Sequence, residues 1–126
     1  MRLLLDTVTF IWAYDAPDRL SGPAMSALAN PKAVREISAL SFSEIAIKQA
    51  LGKLTFLKRD VLDGVADLRL RVLPYTAEHA LHLFDLPPHH SDPFDRQIIA
   101  QALAEDIPVV TSDRVFGLYA GLKVIW

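Results

Sequence analysis

Five acidic residues stand where their chemistry can be shared: Asp6, Glu44, Asp92, Asp95 and Asp113. Asp6 ends the apolar run Leu3-Leu4-Leu5. Glu44 lies in the first turn of a predicted helix. Asp92 and Asp95 lie in the first turn of another, and Asp113 follows a run of β-branched residues. Carboxylates that converge on one spot cannot all stay ionised unless cations join them. Hard divalent ions such as Mg²⁺ or Mn²⁺ choose oxygen ligands and keep several waters. A carboxylate-held ion of this kind lowers the pKa of a bound water and steadies charge on a phosphate. The chemistry indicated is metal-dependent hydrolysis of a phosphodiester. Aspartate suits it, because a short side chain keeps the ion close to rigid element ends.

That chemistry needs a fold that gathers these positions. Arg2–Asp6 reads as a buried strand. Thr7–Tyr14 is uncharged, and a helical stretch follows from about Pro23 to Leu28. Glu36–Leu40 is a second strand candidate. Phe42–Leu51 reads as a helix with Phe42, Ile45, Ala46 and Ala50 on one stripe, stopped by Gly52. Asp60–Leu70 is a further helix, Arg71–Leu73 a strand ended by Pro74, and Ala77–Phe84 a helix ended by Leu86-Pro87-Pro88. Asp92-Pro93 opens a helix to about Glu105, since Asp caps free amides and Pro lacks one. Pro108–Thr111 is a fourth strand, Arg114–Tyr119 a short helix and Lys123–Trp126 a last strand. Strands alternating with helices imply an α/β fold with a parallel sheet covered on both faces. In such sheets ligands bind beyond the carboxyl ends of the strands, where Asp6, Glu44, Asp95 and Asp113 all fall.

Each acid also has a plain structural use. Asp6, Asp92 and Asp113 can cap the helices behind them, Ser41-Phe42-Ser43-Glu44 fits a capping box, and Asp95 gains from a helix dipole. For Asp92 the cap is the preferred reading. The other four share one predicted sheet edge, which coincidence explains less well.

Composition narrows the classes further. The chain has 126 residues, 52% of them hydrophobic, and mean hydropathy is +0.25. This is the size of one domain, taken as 1–126, and it is too apolar for disorder. The absence of cysteine excludes a disulfide scaffold, a thiolate zinc site and a thiol nucleophile, and fits a reducing cytoplasm. Thirteen basic and fifteen acidic residues give a net charge of -2, so nucleic acid is not held by bulk positive charge. No apolar run is long enough for a membrane span, and Asp6 interrupts the N-terminal leucines too early for a signal peptide.

Rival chemistries fit less well. A metal-independent nuclease could pair two of the four histidines as acid and base. His79 and His82 read as helix-surface or interface residues and His89 and His90 as loop, and H-E-x-x-H is absent. A phosphate-receiving regulator wants an acidic pair after the first strand, where Asp6 stands alone. A haloacid-dehalogenase phosphatase wants D-x-D, where the chain has Asp6-Thr7-Val8. No Gly-rich phosphate loop is present.

The ordered set of motifs is Leu3-Leu4-Leu5-Asp6-Thr7, Ser43-Glu44-Ile45-Ala46-Ile47-Lys48, Leu86-Pro87-Pro88-His89-His90-Ser91-Asp92-Pro93-Phe94-Asp95-Arg96 with Ile99-Ala100-Gln101-Ala102, and Val110-Thr111-Ser112-Asp113. It resembles the PIN domain, and within it the VapC-type toxins of toxin–antitoxin pairs, over nearly the whole chain. The resemblance implies a three-layer α/β/α fold with a mainly parallel sheet of about five strands. It implies an Mg²⁺- or Mn²⁺-dependent endoribonuclease whose catalytic, metal-holding acids are Asp6, Glu44, Asp95 and Asp113, with Thr7 and Thr111 in support. Asp95, rather than Asp92, matches the family acid because the Ile-Ile-Ala-Gln-Ala run follows it. Products would carry a 5′-phosphate and a 3′-hydroxyl. Arg96, Lys48, Lys53 and Arg114 are candidate phosphate contacts, although solvated helix positions, or for Lys48 an ion pair with Glu44, explain them more simply. The implied partners are an RNA substrate, a cognate antitoxin and a second copy in a homodimer. Phe42, Leu54, Phe56 and Leu57 are candidate antitoxin contacts. The alternative is a catalytically silent PIN-like module that binds RNA or protein.

Overall fold

The computed structural model describes residues 1–126. Five short strands, β1 (Arg2–Leu5), β2 (Val34–Ser38), β3 (Arg71–Leu73), β4 (Val109–Val110) and β5 (Val124–Ile125), form one sheet in the order β3-β2-β1-β4-β5. Every neighbouring pair is parallel. Helices α1 (Thr7–Asp15), α2 (Gly22–Ala29), α3 (Ala39–Ala50), α4 (Lys58–Asp67), α5 (Ala77–Leu81) and α6 (Pro93–Glu105) connect the strands. The result is the expected three-layer α/β/α fold.

The central strand shows why. Leu3, Leu4 and Leu5 are all fully buried, as a strand covered on both faces requires. Successive side chains alternate between faces. Leu4 packs with Ile98, Ile99 and Ala102 of α6 and with Phe116. Leu5 packs with Phe10 of α1 and with Ile45 and Phe56 on the other face. Leu3 joins Ala24 of α2 and Val110. α1 and α4 approach closely at Gly64, where an added Cβ would stand 3.0 Å from the Phe10 ring.

Several boundaries differ from the sequence reading. β2 begins and ends earlier than Glu36–Leu40, and α3 starts at Ala39 rather than Phe42. The cap is Ser38, whose hydroxyl accepts the Leu40 N–H, so the Ser41–Glu44 capping box does not form. Ser38 is also the last residue of the ladder against β3, which fixes the turn. Glu44 therefore sits in the second turn of α3, not the first. α4 starts at Lys58, with the Asp60 carboxylate accepting the Leu57 N–H, and ends at Asp67. α5 tightens into a 3₁₀ turn over His82–Asp85. Gly52, at φ +72°, stops α3 as anticipated.

His79, read as a helix-surface or interface residue, is buried within the chain, because α5 packs against α6. Its Nδ1 accepts the Thr76 N–H, and its Nε2 lies 3.0 Å from Glu105. Glu105 also receives Arg2, whose guanidinium makes a two-pronged bond to buried Glu36. This network lies at the start of β1, the opposite end of the strand from Asp6.

Candidate active site

The carboxyl ends of β1 and β4 are adjacent, and each is followed by an aspartate. Asp6 caps α1: one oxygen accepts the Thr9 N–H at 2.8 Å and the other the Thr111 hydroxyl at 2.5 Å. Thr111, just past β4, also accepts the Asp113 N–H through its hydroxyl oxygen at 3.0 Å. A single threonine therefore ties the two acids together. Asp113 caps the short 3₁₀ helix Arg114–Leu118 through the Val115 N–H. Asp92 caps α6 through the Phe94 and Asp95 N–H groups, as read from the sequence. Capping uses one carboxylate oxygen of Asp113 and leaves the other, Oδ2, turned toward the site. The structural and chemical readings of that acid are thus compatible.

Asp95 stands in the first turn of α6 and makes no hydrogen bond to backbone. Burial, then the nearby charges of Asp92 and Glu44, push its carboxyl up to about 7. Asp6 is almost completely buried and is also raised, chiefly by desolvation, with a further contribution from Asp113. No lysine or arginine pairs with Asp6, Asp95 or Asp113. These are the conditions a divalent cation relieves.

Glu44 is brought to the same edge but differently held. One of its oxygens accepts the Thr7 hydroxyl at 2.6 Å and the other takes the Lys48 ammonium. Ser41 reaches the same Thr7 hydroxyl at 2.8 Å. The α3 face set by the earlier start thus turns Ser41, Glu44 and Lys48 toward α1. Lys48 is the ion-pair partner of Glu44, and Glu44 raises its pKa.

The sequence reading placed His90 in a loop and gave it no part in the acidic site. The structure brings its Nε2 to 2.7 Å from Asp113 Oδ2 and 3.2 Å from Asp95 Oδ2. His90, Asp95 and Asp113 form a group whose potential ligand atoms all lie within 4.8 Å of one another. Asp6 and Glu44 flank this group without entering it. The available signal was a histidine two residues before the Asp92 cap, but nothing local says which way a loop residue points. Arg96 also changes role. Its guanidinium binds the carbonyls of Leu86, Pro87 and His90, pinning the loop that carries His90, so it is not a free phosphate contact. Lys53 and Arg114 remain exposed. Among the candidate apolar contacts, Phe56 is core against Phe10 and Tyr14. Phe42 lines a groove with Ile45, Ala46, Val61 and Val65 between α3 and α4.

Comparison with solved structures finds the same fold over nearly the full length. VapBC2 from Rickettsia felis, bound to a DNA fragment from its promoter, aligns with a TM-score of 0.71 at 16% identity, covering 98% of this chain and 97% of that one. DNA-bound VapBC from Salmonella typhimurium gives 0.70 at 20% identity, covering 98% and 96%. VapBC-5 from Mycobacterium tuberculosis, a member of the VapBC family of toxin–antitoxin systems, gives 0.62 at 18% identity, covering 98% and 97%. No curated protein sequence matches significantly. The family model for the PIN domain matches residues 3–122, which takes in every acid described above. The chain belongs to the PIN domain family.

Proposed function

We propose that this protein is a metal-dependent endoribonuclease acting as the toxin of a toxin–antitoxin pair. The observation that carries the reading is the set of desolvated, mutually repelling acids at the carboxyl edge of the sheet, with Asp95 held at about 7 and no lysine or arginine paired with it. The donors are carboxylate oxygens on rigid element ends, which fits Mg²⁺ or Mn²⁺. Asp6, Asp95 and Asp113 would hold the ion, with Glu44 beside them. When bound, the ion supplies Lewis acidity toward a phosphate and acidifies water. The chain's own residues do the rest. Thr111 and Thr7 fix the acids, burial keeps the site's dielectric low, and Glu44 would bind the ion directly, through water, or serve as the proton acceptor. Hydrolysis by water leaves a 5′-phosphate and a 3′-hydroxyl.

The partners follow from the same reading. RNA reaches the site as single-stranded loops, selected by shape. A cytoplasmic antitoxin covers the acids with a basic side chain and lays apolar residues in the groove at Phe42 and Val61. A homodimer places two sites on one surface.

The test is cleavage of a structured RNA pool by purified, antitoxin-free chain in Mg²⁺, Mn²⁺ or EDTA, with Asp6→Asn and Asp95→Asn as controls. The expected result is discrete, metal-dependent cuts with 5′-phosphate ends, reduced at least about 100-fold in both variants. A 2′,3′-cyclic phosphate end would exclude hydrolysis by water. A folded chain that cuts no RNA would be a catalytically silent module.

A further inference from the structure

The cluster of His90, Asp95 and Asp113 invites a simple reading, in which an imidazole and two carboxylates ligate one metal ion. The hydrogen bonds around the ring exclude that arrangement as it stands. His90 Nδ1 accepts the backbone N–H of Asp92 at 3.1 Å. A nitrogen that accepts carries no hydrogen, so the ring hydrogen resides on Nε2. Nε2 is the atom that faces Asp113 and Asp95. It therefore presents a hydrogen to the carboxylates and has no lone pair to offer a cation.

The rest of the loop holds the ring in this pose. The His90 backbone N–H donates to the Tyr119 hydroxyl at 2.8 Å, and its carbonyl accepts from Arg96. The ring meets Phe116 edge-on at 5.7 Å and 90°. The Asp92 N–H that fixes the tautomer belongs to the residue that caps α6 and so cannot rotate away independently. The ring is held through its backbone, by Phe116 and at its far nitrogen, leaving the Nε2–H as its one directed contact into the site.

We propose that His90 is a positioning residue. Its Nε2–H holds Asp113 Oδ2 beside Asp95, fixing the carboxylate pair that receives the cation, and contributes no metal ligand of its own. This rests on the metal-dependent reading above. It assigns the ion an all-oxygen set on this chain, which favours Mg²⁺ or Mn²⁺ over the imidazole-seeking Zn²⁺ and Ni²⁺. Hydrogen-bond partners that orient ligands typically affect metal affinity 10–100-fold.

The test uses the full chain with three versions of position 90. Mn²⁺ binding is followed by electron paramagnetic resonance, with thermal melting as a check on folding, in wild type, His90→Ala and His90→Gln. Glutamine carries an N–H at about the reach of Nε2. His90→Ala is expected to bind Mn²⁺ at least about 10-fold more weakly, and His90→Gln to recover most of that loss. The ¹⁵N spectrum of the His90 ring is expected to show hydrogen on Nε2 both without metal and with saturating Mg²⁺. Loss of that hydrogen on adding Mg²⁺ would make His90 a ligand and overturn the proposal. So would folded glutamine and alanine variants that bind Mn²⁺ equally weakly. Wild type that binds no Mn²⁺ at all would instead defeat the metal-dependent reading, and this proposal with it.

Discussion

Asp95→Asn should stabilise the metal-free protein, although it removes a residue placed at the centre of the site. The Asp95 carboxyl sits at about 7 in the fold against an ordinary 3.8. Each tenfold change in ionisation corresponds to about 1.36 kcal/mol, so keeping this group charged at neutral pH costs about 4 kcal/mol at most. Asp95 is partly exposed, and solvent screening reduces this to about 1–2 kcal/mol. For a domain of this size that is a rise of about 4–8 °C in melting temperature. The sign with pH follows. Below about pH 4 the aspartate is protonated in both folded and unfolded chains, and the variant has no advantage. As pH rises toward 7 the unfolded chain ionises first, and wild type loses stability that asparagine keeps. Asparagine retains an acceptor for His90, so no other contact is removed. The assay is thermal melting of both proteins in EDTA from pH 4 to 8. A variant that melts with wild type or below it at pH 7.5 would refute the argument that the acids are held together against their repulsion.

Saturating Mg²⁺ should raise the wild-type melting temperature at pH 7.5 and erase the advantage of Asp95→Asn, read in the same melts; no rise in wild type would speak against an ion among these acids. Gly64→Ala should destabilise by about 1 kcal/mol in urea unfolding despite alanine's better helix propensity, because the new methyl meets Phe10 at 3.0 Å. Arg2→Met should cost about 3 kcal/mol by leaving buried Glu36 unpaired, and Arg2→Met with Glu36→Gln should recover most of it in the same measurement. Asp92→Ala should cost about 1 kcal/mol through the lost α6 cap and Asp92→Ser a few tenths, compared by chemical denaturation.

Local signals carried much of this molecule. Three leucines ended by Asp6 read as a strand buried on both faces, and Asp92-Pro93 marked the start of α6, because burial of a short run and capping of free amides are decided within a few residues. Alternation of strands and helices was enough for a parallel sheet, and a parallel sheet puts strand-following acids on one edge. The start of α3 was read too late, at Phe42 behind a Ser41–Glu44 capping box, because the ladder that ends at Ser38 against Leu73 on β3 leaves Ser38 as the cap. The Lys48 partner of Glu44 was legible as an i,i+4 pair, whereas its Thr7 partner is a tertiary contact between α1 and α3. His79 read as a helix-surface or interface residue, and its burial came from α5 packing on α6. His90 and Arg96 depended most on tertiary contacts. The Tyr119 hydroxyl, the Phe116 ring and three loop carbonyls hold them, and those partners lie up to 29 residues away in sequence. The sequence alone determined which residues end the strands and begin the helices, because those choices are settled by neighbours along the chain. Only the folded structure decided which side chains from separate loops meet at the acids, because that depends on packing between segments that share no local signal.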